Sequence, residues 1–180
     1  MRIPLPKLKA ILLYFEENTD ARFLGKTKLM KLLYFLDFMH LKKHGMPITH
    51  DSYVHLEYGP IPSAIMNLVD TTIQDPDNSI LGDTISFEKR DGSDMYKMIS
   101  LRKFSEEDAK LFSKNEMEIL RRVCLRFGDL NTRDIVDASH KEAPWKETKP
   151  LEFIPYSLAA KDPDCLVSEE DINLAISLLS

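Results

Sequence analysis

The chain has 180 residues, 43% hydrophobic and 29% charged, which suits one domain with a sizeable core and excludes a disordered or collagenous chain. Its apolar runs, such as Leu32 to Leu36 and Ala10 to Phe15, are far short of the roughly 20 residues of a membrane span, while Ala10 to Phe15 lacks a cleavage site and Cys124 and Cys165 have neither disulfide-framework nor zinc spacing, so a cytosolic protein is expected. Net charge is -5, unlike a protein devoted to phosphate backbone, yet residues 1–50 carry nine Lys/Arg against four Asp/Glu and residues 51–180 carry 15 against 25, a polarity that predicts a basic face in the N-terminal third.

Leu8, Ile11, Leu12 and Phe15 recur at helical spacing and predict an amphipathic helix from Pro6 to about Asn18. Thr27 is placed to cap a second helix running to about Lys43, with Gly45 as its stop and Pro47 beyond. That helix is apolar almost all round. Leu29, Leu32, Leu33 and Leu36 fall on one side and Met30, Tyr34 and Leu41 on another, leaving a narrow solvent strip of Lys28, Lys31 and Lys42. It should be the central, buried helix. Tyr53 to Tyr58 alternates as a strand ending at Gly59-Pro60, and Pro62 suits the first turn of a helix through Ile65, Leu68 and Val69. Thr84 to Arg90 and Met95 to Leu101 flank Asp91-Gly92 as a hairpin. Capping boxes begin at Ser105 and Ser113, the second opening a helix with Met117, Leu120, Val123, Cys124 and Phe127 on one face before Gly128. Asn131 or Thr132 starts a helix ending near His140, the proline-rich run 144–163 reads as irregular, and Ser168 caps a last helix. The expected fold is α+β and predominantly helical: a central helix, surrounding helices and a small antiparallel sheet, all in one domain over 1–180.

Common enzyme signatures are missing: the sequence has no Gly-rich phosphate loop, Gly-x-Ser-x-Gly, His-Glu-x-x-His or Cys-x-x-Cys. The nearest approach to a metal set is Asp37, His40 and His44, which share a face of the second helix, although histidines near a helix C-terminus already gain from its dipole. No cofactor is implied. His50 and His55 flank a strand start and belong on its polar face, with no Ser or Cys nucleophile visibly paired to either.

Three segments ask for more than packing: Thr27-Lys-Leu-Met-Lys-Leu-Leu-Tyr-Phe35, Tyr58-Gly-Pro-Ile-Pro62 and Ser139-His-Lys-Glu-Ala-Pro-Trp145. In order and separation they resemble the Panacea domain of SocA-like antitoxins, formerly a domain of unknown function met in phage-associated proteins. The residues that carry the likeness are Lys31, Leu32, Leu33, Tyr34, then Tyr58, Gly59, Pro60, then Ser139, His140, Glu142 and Trp145. The resemblance covers residues 7–145 and leaves 146–180 as a C-terminal extension. It implies a cytoplasmic bacterial or prophage-borne antitoxin that neutralises a nearby-encoded protein toxin by binding it, with no catalytic residue of its own. Lys28, Lys31, Phe35, Phe38 and Lys42 lie within a wedge of about 80° on the second helix, a cation and aromatic stripe that is the candidate partner-binding face. The competing readings are a nucleic-acid-binding regulator using the basic N-terminal third, and a small hydrolase or metal-dependent enzyme around His140 or the Asp37 cluster. The three segments are expected to meet in space with Trp145 as their anchor.

Overall fold

The structure, a computed structural model, describes residues 2–89 and 95–178. Helix α1 (Leu5–Asn18) opens on Pro4 and Pro6 and buries Leu8, Ile11, Leu12 and Phe15, as its spacing predicts. Helix α2 (Lys26–His44) is the axis of the molecule, and every residue from Lys28 to Phe38 is buried. Thr27 does not cap it. Gly25 holds the N-cap position without a side-chain bond, and its place is set by a strand instead: a Cβ there would lie 2.7 Å from the Tyr96 carbonyl oxygen, because Gly25 bridges Lys97. At the other end Gly45 adopts φ +78°, its N–H donating to the Leu41 carbonyl, a left-handed stop that glycine takes without strain.

The predicted strand to Tyr58 is in fact a hairpin. Strand β1 (Tyr53–Leu56) pairs antiparallel with β2 (Gly59–Pro62), Leu56 opposite Gly59, so the chain reverses over Glu57 and Tyr58. Two prolines are tolerated in β2 because it is an edge strand. On its other side β1 pairs with the two-residue β5 (Phe153–Ile154), giving the order β2-β1-β5. Helix α3 (Ser63–Gln74) follows β2 directly, and Pro62 gives it no cap. The Asp51 carboxylate does so from before β1, accepting the N–H groups of Ala64 at 3.1 Å and Ile65 at 2.8 Å.

Strands β3 (Ile85–Lys89) and β4 (Tyr96–Ser100) form the second predicted hairpin, while its Asp91-Gly92 turn lies outside the described residues. Both capping boxes are complete, at Ser105 before α4 (Glu106–Ala109) and at Ser113 before α5 (Lys114–Phe127). Asn131, not Thr132, caps α6 (Thr132–Ser139). The run 144–163 is more regular than its prolines suggested: it holds most of α7 (Ala143–Lys146), β5 and a 3₁₀ turn over Tyr156–Lys161. Each of these is too short to display a period. Helix α8 (Glu169–Ser177) starts at the Ser168 cap, as expected.

The core is aromatic around α2. Phe35 stacks on Phe127 of α5 with ring centroids 3.9 Å apart, and Phe38 lies against Tyr34, Tyr53 and Tyr156. Leu32, Leu33 and Leu36 have no exposed surface. Leu33→Ala should therefore cost about 2–5 kcal/mol in a two-state denaturant melt, from lost transfer energy plus a cavity. A loss below about 0.5 kcal/mol, the usual range of surface substitutions, would contradict the central position of this helix.

Candidate functional site: the junction of three motifs

The predicted solvent strip on α2 does not exist. Lys28, Lys31 and Lys42 are buried together with Phe35 and Phe38, so the stripe expected to bind a partner faces the interior. Each lysine finds an acceptor far away in sequence. Lys28 Nζ donates to the Gly128 carbonyl at the end of α5, 2.6 Å away, and Lys31 Nζ to the Pro60 carbonyl in β2 at 2.8 Å. Lys42 Nζ pairs with Glu142, with Asp162 at 2.9 Å and with Asp164 at 3.0 Å. Burial draws the Lys42 ammonium down, but three carboxylates around it outweigh that and hold it above its ordinary value.

Five of the six other basic residues of the N-terminal third also form ion pairs, though nearer the surface. Lys7 pairs with Glu116, Lys9 with Asp83, Lys26 with Asp70, Lys43 with Glu118 and Arg22 with Asp20. Four of these five pairs join the first 50 residues to the rest, so much of the charge polarity of the sequence closes on itself rather than forming the expected basic face. Single surface pairs add little stability. Their consequence here is that these cations are engaged internally.

Two members of the nearest approach to a metal set on α2, Asp37 and His40, are engaged by the chain itself. Asp37 Oδ1 accepts the N–H groups of Ile48 at 2.8 Å and Thr49 at 2.7 Å, and Oδ2 accepts the hydroxyls of Thr49 and, at 3.0 Å, Tyr53. Burial pushes its carboxyl up to about 6 against the pull of those donors. Its lone pairs are spent on the loop after the helix. His40 Nδ1 lies 2.6 Å from the Met46 carbonyl oxygen, which makes that nitrogen the donor. Among the described residues no group of three His, Cys, Asp or Glu could hold a metal ion.

The three motif segments do meet. Gly59 stands at the start of β2 with φ +89°, and a Cβ there would lie 2.5 Å from Ser139 Oγ, 2.9 Å from Lys31 Cε and 3.3 Å from His140 Nε2. Any other residue would have to displace these side chains while also holding a left-handed backbone, so glycine is favoured twice over. The His140 ring lies flat on Trp145, 3.9 Å between centroids, and His55 stacks on the same indole at 4.5 Å. His55 is therefore packed rather than on a polar strand face. The indole N–H points at the Leu56 carbonyl, 3.5 Å away, so Trp145 is the anchor that fastens α7 to the hairpin. Ser139 donates to the Val136 carbonyl at 2.7 Å and Glu142 is taken by Lys42. Leu32, Leu33 and Tyr34 of the first motif point into the core, whereas Tyr58, at the hairpin tip, is 63% exposed.

The electrostatics of this junction are unusual in one respect. Lys31 is buried with no carboxylate to balance it, and burial alone lowers its ammonium to about 7. His140 is held below the ordinary histidine value by burial and then by the nearby Lys31 charge. Its Nε2 and the Tyr34 hydroxyl are buried without a hydrogen-bond partner among the described residues. The Ser139 hydroxyl is committed to the Val136 carbonyl and does not bond to His140 Nε2. Sequence reasoning missed Asp51, Asp162 and His55 as organising residues; the Asp-Pro-Asp run at 162–164 was the visible signal for Asp162.

A lysine depressed to about 7 in the folded state and near 10.4 when unfolded makes the unfolded chain bind more protons between those values. Stability should therefore rise with pH from about 7 to about 10 and be flat in this component below 7. Lys31→Met should abolish that rise in denaturant midpoints taken across the range, and an unaltered slope would refute the assignment. Gly59→Ala should lower the melting temperature more than Gly45→Ala: position 45 bears only the cost of its positive φ, with Val167 Cγ1 at an easy 3.6 Å, whereas position 59 bears that cost, two collisions below 3.0 Å and a tight approach at 3.3 Å.

The profile of the family described as Antitoxin SocA-like, Panacea domain, matches residues 29–146. The match starts in the first turn of α2, rather than at the residue 7 suggested by the resemblance, and ends on the last residue of α7. It takes in every residue of the junction. No curated protein and no solved structure matches the chain. Since the match spans well over half of the sequence and its three motifs converge on Gly59, this chain belongs to the SocA-like antitoxin family and carries its Panacea domain.

Proposed function

We propose that this protein neutralises a co-encoded protein toxin by binding it directly, as a stoichiometric and non-catalytic antitoxin in the cytoplasm of a bacterium or from a prophage locus. The observation that carries this reading is the Panacea domain over residues 29–146. The junction supports it, because its polar residues are spent on holding segments together rather than arranged for a reaction. A nucleic-acid regulator built on the N-terminal lysines loses its physical basis, since Lys28, Lys31 and Lys42 are interior.

The test is co-expression with the product of the adjacent reading frame. Induced alone, that product should arrest growth; with this chain present, growth should recover and the two should co-purify in fixed ratio. An adjacent product that is harmless alone, or one still lethal beside soluble, folded antitoxin, would sink the proposal. Lys28→Glu should also abolish protection, through loss of soluble protein, because it sets a carboxylate against the Gly128 carbonyl in a buried site.

A further inference from the structure

The segment beyond the family match carries the whole charge imbalance of the chain. Residues 147–180 hold two lysines against seven Asp/Glu, while residues 1–146 hold 22 of each sign. In this segment Glu152 N–H donates to the Lys149 carbonyl at 3.1 Å, closing a turn with Pro150 second and Leu151 third. Leu151 has φ +71°, the conformation that the third position of such a turn reserves for glycine or asparagine. Leu151 N–H then donates to the His55 carbonyl at 2.8 Å and His55 N–H to the Glu152 carbonyl at 2.9 Å. Two residues therefore oppose one, a β-bulge whose left-handed first position is again a glycine site.

A leucine there is strained and 79% exposed. Its side chain takes no part in the hydrophobic core. Phe153, two residues on, is 69% exposed beside the buried Ile154, and it lines a cleft of about 550 Å³ together with Arg2 and with Asn173 and Ile176 of α8. Leu174 of α8 and Leu178 just beyond it are 59% and 78% exposed. Glu152, Glu169, Glu170 and Asp171 of the same segment are all exposed and outnumber the Arg2 of the cleft lining.

We propose that this C-terminal face is where the toxin docks, through a segment presenting apolar side chains among lysines and arginines. The proposal rests on the antitoxin reading above. Apolar patches with a polar rim mark interaction surfaces, and the sign of the rim selects the partner: it repels nucleic acid and acidic proteins and attracts a basic chain. A second copy of this chain is disfavoured on the same ground, since two acidic rims would meet.

The probe is the adjacent-frame product, assayed for growth arrest and for binding to the purified full chain. Leu151→Gly removes strain and an apolar contact at once, so it should keep or raise the melting temperature while weakening binding at least tenfold, an opposition that a purely structural role does not produce. Phe153→Ser should weaken binding similarly. Glu169→Gln with Glu170→Gln should lessen the salt dependence of association, and Leu125→Ser, an exposed leucine of α5 outside this face, should change neither. Wild-type protection with undiminished binding by the Leu151 and Phe153 variants overturns the docking face and leaves the antitoxin reading standing. A wild-type chain that neither binds nor protects overturns both. A wild-type dimer that Phe153→Ser splits, with toxin binding retained, makes the face a self-interface and overturns the proposal.

Discussion

The fold depends on ammonium groups brought into the interior by the central helix. A buried cation is costly unless its hydrogens are accepted, and α2 carries three of them. Each is satisfied by a segment distant in sequence: the end of α5 for Lys28, strand β2 for Lys31, and the start of α7 with the 162–164 run for Lys42. Asp37 does the same with opposite sign, gathering Ile48, Thr49 and Tyr53. The helix therefore dictates where its neighbours sit as well as supplying apolar surface. Leucines at these four positions would be cheaper to bury, but they would not specify which carbonyl or which loop lies opposite.

Lys31 shows what such a constraint demands of the partner. Its amine reaches the Pro60 carbonyl only if β2 runs close over α2, and that approach leaves little room for a side chain at position 59. The glycine, its positive φ, the hairpin turn and the proximity of Ser139 and His140 are consequences of one contact. A Tyr-Gly-Pro tripeptide carries little information alone, but it becomes specific when a lysine from one helix and the end of another bracket it.

Local features were legible in the sequence. The serine caps at 105, 113 and 168, the stop at Gly45, and the burial of Leu32, Leu33 and Leu36 rest on neighbours within a few residues, and the structure has all of them. The lysine strip failed because periodicity treats lysine as a marker of solvent, whereas Lys28 is buried by an acceptor 100 positions away. Strand β2 was hidden by its prolines, and β5 by being two residues long. The three-motif junction was legible only as a coincidence of family segments; Gly59 shows its physical reason.

The location of the junction bears on how recognition can be distributed. Residues that hold a fold in register cannot vary freely, because Lys31, Gly59, Ser139 and Trp145 each constrain the others through contacts of a few ångströms. A surface that must fit one particular partner needs positions that can change without that penalty. Leu151, Phe153, Leu174 and Leu178 are such positions: they are exposed, lie past the family match, and contribute little to the core. Lys42 joins the two regions, since its ammonium binds Glu142 inside the match and Asp162 and Asp164 beyond it. An interior pinned by buried charges can thus carry a changeable face on its C-terminal segment, with the Lys42 cluster fixing where that face stands.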